Sequence, residues 1–161
     1  MIRIDIPATS ANLGSGFDSL GIALTMCNRV WMEEADELKI TTTDKIKVPT
    51  DETNLIYWAA RHLYQICGKT LPGLHIIQEN NIPMARGLGS SSACIVAGIL
   101  GANRMLGSPM SQSDLINLAA QIEGHPDNTS PAISGGLVAS AMEGKRVYSV
   151  SVPVSGKISF A

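Results

Sequence analysis

The order of sequence patterns predicts an α+β fold in which one helical layer covers a largely antiparallel sheet. Apolar and polar residues alternate with strand period through Thr43 and again after Gly136, while the stretches between them carry apolar residues at helical spacing. The 161 residues are enough for the core of one ordinary domain, and 45% hydrophobic against 16% charged residues marks a globular chain.

The elements follow in order. Ile2, Ile4 and Ile6 alternate with Arg3 and Asp5 as a first strand, and Gly21 to Met26, Arg29 to Glu34 and Leu38 to Thr43 read as three more, separated by short polar breaks. In "NLIYWAARHLYQIC", residues 54 to 67, Leu55, Trp58, Ala59, His62, Leu63 and Ile66 fall on one helical face, and Gly68 supplies a stop. Leu74 to Asn80 reads as a strand. A second helix is expected from about Ser91 to Leu106. A third starts at Ser111, where Ser-x-x-Asp to Asp114 resembles a capping box, carries Leu115, Leu118, Ala119 and Ile122, and ends near Gly124. "GGLVASA" and "RVYSVSVPV" return to strand.

Composition narrows the function classes. A net charge of −2 gives no basic footprint for nucleic acid or anionic lipid. The alternating N-terminus is no signal peptide, and no apolar run reaches the ~18 residues of a membrane span; a cytoplasmic protein is expected. Cys27, Cys67 and Cys94 lie in apolar surroundings without C-x-x-C spacing, which fits free thiols better than bridges or zinc.

Three stretches hold candidate chemistry. In "IPMARGLGSSSACIVAG", residues 82 to 98, Gly87 and Gly89 let the backbone turn and approach a ligand, and Ser90, Ser91 and Ser92 open a helix whose first N–H groups have no internal partners. That pattern suits a phosphate, with serine hydroxyls able to bind its oxygens or Mg²⁺; glycine-rich loops also precede helices with no ligand at all. A dinucleotide fingerprint would need glycine where Ser92 stands, and Gly68-Lys69-Thr70 is not the end of a Walker A loop because Leu63 occupies its first glycine. The loop "PATSANLGSGFDSLG", residues 7 to 21, presents Asn12 and Asp18 among small residues, with Phe17 as its one large apolar anchor; the two polar side chains can equally satisfy turn backbone. "EGHPDN", residues 123 to 128, gathers Glu123, His125, Asp127 and Asn128. Glu123 and Asp127 suit Mg²⁺. His125 has no second His or Cys at a zinc-ligand spacing. Pro126 and Asp127 can also open a helical turn through residue 133, capped by Asp127 or Asn128. His62 and His75 read as structural.

Together these stretches resemble the signatures of the GHMP kinases. Pro83 to Ala93 matches the P-x-x-x-G-L-G-S-S-x-A motif of the whole family, and Ser10 to Asp18 with His125-Pro126-Asp127-Asn128 resembles the homoserine kinases within it. The resemblance implies a ribosomal protein S5 domain 2-like fold, ATP as donor, Mg²⁺, and phosphorylation of the L-homoserine hydroxyl on the route to threonine. By the same resemblance Pro83, Met84, Ala85, Arg86, Gly87, Leu88, Gly89, Ser90, Ser91, Ser92 and Ala93 hold ATP, and Ser91 and Glu123 hold the metal. Asp18 pairs the substrate ammonium, Asn12 and His125 bind its other polar groups, and either Asp127 is the base or Asn128 orients the hydroxyl. Rival readings are a sister kinase of the mevalonate type and an RNA-binding S5-like module. The family continues into a C-terminal ferredoxin-like domain with a third glycine-rich motif, whereas this sequence stops at Ala161 inside an apparent strand. The expectation is therefore that residues 1 to 161 are a truncated N-terminal, ATP-binding domain, inactive alone. Its expected partner is small-molecule L-homoserine, with no nucleic acid and no membrane; a homodimer is left open.

Overall fold

Ile4 and Ile6 point into the core and Arg3 and Asp5 away from it on β1 (Ile2–Ala11), as the alternation requires. The structure, a computed structural model, describes residues 1–156. The remaining elements are β2 (Leu20–Glu34), β3 (Lys39–Thr42), α1 (Leu55–Ile66), β4 (Leu74–Glu79), α2 (Ser90–Met105), α3 (Gln112–Glu123), α4 (Thr129–Ser134), β5 (Leu137–Glu143) and β6 (Arg146–Val152). Among the described residues the strands form a six-stranded sheet, ordered β3-β4-β2-β5-β6 with β1 also paired to β2. It is antiparallel except for the β3–β4 pair. The strand expected at the chain's end, in "GKISFA", lies outside the described residues apart from Gly156.

The two strands expected at Gly21 to Met26 and Arg29 to Glu34 are one strand, β2. The polar break between them is not a turn. Asn28 is buried inside β2, and its Oδ1 accepts the N–H groups of Asn81 at 2.7 Å and Ile82 at 2.8 Å. The β1–β2 register shifts beside it, between Pro7 and Thr9, so that Ala8 and Thr9 are both buried. Such a shift re-aims a side chain.

α1 begins at its Asn54 cap, whose side chain accepts from Ile56 and Tyr57. Its buried face differs from the expected one. Ile56, Tyr57, Ala59, Ala60, Leu63 and Tyr64 are buried, while Leu55, Trp58 and Ile66 are exposed and Trp58 stacks on His62. Apolar residues surround this helix, so periodicity alone does not choose a face. The contact with α2 chooses it: Gly98 lies so near Ala59 and Ala60 that a Cβ there would strike the Ile56 carbonyl oxygen. Gly101 likewise leaves room for Met32 of β2. The core thus forms between the helices and one sheet face, around Ile6, Met32, Leu63, Ile76 and Ile99. α3 carries the expected capping box, with Asp114 N–H donating to Ser111 Oγ at 3.2 Å and Ser111 N–H to Asp114 Oδ2 at 3.1 Å, and it ends at Gly124 with φ of 94°. No helix among the described residues is long and apolar enough to cross a membrane.

Candidate active site

The loop from Pro83 to Gly89 coils between β4 and α2 through positive φ angles of 55° at Ala85, 68° at Gly87 and 64° at Gly89. Gly89 is the N-cap of α2 and brings no side-chain acceptor, so the N–H groups of the first turn have no cap; no carboxylate lies in that turn. The positive end of the helix dipole and Arg86 therefore favour an anion here. The loop, Ser90, Ser91 and Ser92 form one wall of a cleft whose other wall includes Asn12, Glu123 and Asn128. Residues far apart in sequence are brought together in this way.

Each of those side chains is held. Asn12, itself at φ 59°, accepts the Asp18 N–H on Oδ1 at 2.8 Å, which closes the loop after β1. Buried Ser92 donates to Glu123 Oε1 at 2.8 Å, tying the first turn of α2 to the end of α3. Asn128 Oδ1 accepts from the Thr9 hydroxyl at 2.8 Å. Asp127 is enclosed: its Oδ1 lies 2.6 Å from His125 Nδ1 and accepts the Asn128 N–H at 2.9 Å, while its Oδ2 is buried without a partner.

A second recess of about 280 Å³ adjoins the cleft, with Ala85, Ser90 and Ser91 common to both. Its walls are mainly apolar, with Val48, Pro49, Leu55 and Met84, and Lys47 stands at its border. Asn54 fixes it by donating from Nδ2 to the Pro49 carbonyl at 2.9 Å and to Gln78 Oε1 at 3.3 Å. Asp44 joins the segment before Lys47 to Asn80, accepting N–H groups from Asn80 at 2.6 Å and Ile46 at 2.7 Å. Desolvation works to raise the Asp44 carboxyl, but these donors and the Asn80 amide outweigh it and hold it below the usual range. Cys94 lines the recess floor, and burial pushes its thiol up to about 11.

Of the expected nucleotide residues, those from Pro83 to Ser92 line the cleft or the recess, Met84 the recess only; Ala93 is buried in the core. Asn12, Glu123, Ser91 and Asn128 share the cleft. Asp18, His125 and Asp127 do not line the cleft: Asp18 is tied to it through its N–H on Asn12, and His125 and the buried Asp127 precede Asn128 in the loop after α3. Phe17, expected as an anchor, is 72% exposed, because the loop is held by the Asn12 hydrogen bond and by Gly16, which packs on Leu20. Sequence reasoning missed Thr9 and the recess wall from Lys47 to Leu55. The Asn54 cap was readable there, but its link to Gln78 was not.

Comparison with known proteins identifies the family. The family described as GHMP kinases N terminal domain matches over residues 54–136. Homoserine kinase of Clostridium botulinum strain 657 is 44% identical over 99% of this chain and 54% of its own length. Homoserine kinase of Caldicellulosiruptor bescii is 43% identical over 100% of this chain and 53% of its own. The crystal structure of homoserine kinase from Cytophaga hutchinsonii superposes with a TM-score of 0.82 at 31% identity, covering 96% of this chain and 52% of that one. The chain spans about half the length of the curated relatives it matches.

Proposed function

The chain belongs to the GHMP kinases, and on that premise we propose that it supplies the nucleotide-binding wall of an ATP-dependent kinase that phosphorylates the primary hydroxyl of L-homoserine. The observation that carries this reading is the cleft itself, in which an anion-binding helix terminus faces Glu123, Asn12 and Asn128. The homoserine kinases at 44% and 43% identity support homoserine as the acceptor.

The triphosphate lies along the N–H groups of residues 87 to 92, with Arg86 beside it. The adenosine enters the adjoining recess, whose apolar walls suit a flat ring and whose shared residues make it continuous with the loop. One carboxylate and one hydroxyl fit a Mg²⁺ that takes its remaining ligands from phosphate and water: Ser92 holds one oxygen of Glu123 and leaves the other unengaged among the described residues, and Ser91 is exposed to the cleft. Ser91 and Glu123 would hold the metal, which neutralises phosphate charge when bound.

On the acceptor side, Asp18 pairs the ammonium, while Asn12 and His125 hydrogen-bond the other polar groups of the amino acid. Asn128 is the group that faces the hydroxyl. Asp127 is a poor base by position, since its carboxylate is fully enclosed and engaged by His125 and the Asn128 N–H. A loose phosphoryl-transfer transition state needs little early deprotonation, so holding the hydroxyl in line is the larger contribution.

The test is a panel of acceptor alcohols, including L-homoserine and mevalonate, given with Mg-ATP to the full-length protein. ADP release is followed, and the product is identified by phosphorus NMR. Turnover on homoserine is expected. Turnover on mevalonate without turnover on homoserine overturns the assignment.

A further inference from the structure

We propose that Thr9 is a positioning residue that fixes the Asn128 amide against the phosphate loop; the assignment rests on the kinase reading above. Thr9 is 1% exposed and lies where the β1–β2 register shifts, so its side chain turns inward beside Ala8 instead of alternating with it. Three contacts converge on it. Its N–H donates to the Leu88 carbonyl at 3.2 Å, holding the loop from behind. Its hydroxyl donates to Asn128 Oδ1 at 2.8 Å. Gly89 packs so closely on it that a Cβ there would overlap Thr9 Oγ1 and stand 3.2 Å from Asn128 Oδ1.

These contacts decide which way round the amide sits. Asn128 Nδ2 lies 3.4 Å from Asp127 Oδ1, so the reversed amide would set two oxygens against each other there, and the Thr9 hydroxyl acts as the donor that holds the Oδ1 so directed. With Oδ1 held by Thr9 and one Nδ2 hydrogen directed to Asp127, the second Nδ2 hydrogen is the donor left for an acceptor hydroxyl in the cleft that Asn128 lines. One buried side chain thus sets the orienting amide and the phosphate loop in register. Reactions that depend on orientation are sensitive to displacements of about 1 Å.

Thr9→Val keeps the shape and removes the donor, and Thr9→Ser keeps the donor. In the full-length protein Thr9→Val should lower kcat on homoserine by roughly tenfold or more, with the KM for homoserine and the affinity for ATP within about twofold of wild type. Thr9→Ser should restore most of kcat. Because Thr9 acts through Asn128, adding Thr9→Val to Asn128→Ala should cost nothing further. An unchanged kcat in Thr9→Val, a serine variant no better than valine, or the same loss in the Asn128→Ala background each overturns the assignment. If Thr9→Val does not fold, the cycle is read with Thr9→Ala. Wild-type protein without turnover on homoserine defeats the kinase reading itself, whereas wild-type turnover that Thr9→Val leaves intact defeats only the role of Thr9.

Discussion

His125 Nδ1 and Asp127 Oδ1 stand 2.6 Å apart, with the imidazole side chain 42% exposed and the carboxylate wholly enclosed. The pair fixes the ring, so that Nε2 is the nitrogen His125 can offer to a ligand. Asp127 is buried, does not line the cleft, and holds His125 and the Asn128 N–H through one oxygen. Asp127→Asn should lower stability by about 1–3 kcal/mol, because the Oδ1 that accepts from His125 and the Asn128 N–H loses its charge and a buried NH₂ group without an acceptor takes the place of Oδ2. It should also lower kcat while leaving the shape of the pH–rate profile intact. A profile that loses its acidic limb identifies Asp127 as the base after all.

Adjacent serines should behave differently. Ser91 is exposed to the cleft, whereas the buried Ser92 hydroxyl is already engaged with Glu123. Ser91→Ala is expected to cost about 2–4 kcal/mol in kcat/KM, the scale of removing one preorganised donor from a transition state. Ser92→Ala should cost about 1 kcal/mol, through the lost hold on Glu123. Steady-state kinetics in Mg-ATP measures both, and equal losses would refute the division of labour.

The loop glycines make a second contrasting pair. Gly87 and Gly89 both have positive φ, but a Cβ at Gly87 meets nothing within 4 Å, while one at Gly89 overlaps the Thr9 hydroxyl. Gly87→Ala should cost only the left-handed backbone penalty of about 1–2 kcal/mol. Gly89→Ala adds a steric cost of about 1–3 kcal/mol and should abolish tight ATP binding. Urea midpoints and nucleotide titrations separate the two variants, and matching results would count against the packing described for Gly89.

Cys94 provides a pH-dependent readout of the recess. Burial pushes its thiol up to about 11, so at pH 8 it carries roughly a hundredfold less thiolate than a thiol of ordinary pKa. Iodoacetamide should therefore label it slowly near pH 8 and faster as pH approaches 11, with ATP slowing the reaction because Cys94 lines the recess. Mass spectrometry of the labelled peptide reads the rate. The stability effect has the matching sign: above pH ~9 the unfolded thiol ionises while the folded one stays neutral, so stability falls as pH rises. Rapid labelling at pH 8 that ATP does not slow would show that the recess is neither closed around Cys94 nor the nucleotide site.

The sequence by itself determined the features whose causes are local. Ser111 and Asp114 reach each other across one helical turn, so their capping box is legible as a spacing. The same holds for Gly124 at the end of α3 and for the glycine-rich loop that meets the start of α2 at Ser90, because positive φ angles and uncapped N–H groups belong to a few consecutive residues. The candidate residues around Asn12, Ser91, Glu123 and Asn128 were readable as residue types in short motifs.

Tertiary structure decided what depends on partners distant in the chain. The buried face of α1 is set by Gly98 of α2 meeting Ala59 and Ala60, so Tyr57 and Tyr64 go inside and Trp58 stays out. Asn28 reads as a strand break until Asn81 and Ile82 satisfy its side chain within β2. Asp127 reads as one carboxylate of a short polar motif until folding encloses it, and Thr9 reads as a loop residue until its hydroxyl meets Asn128, 119 positions away. Hydrogen bonds and close contacts of this kind form only when the sheet and helices come together, and no local pattern of residue types encodes which distant group will fill a given side chain's bonding capacity.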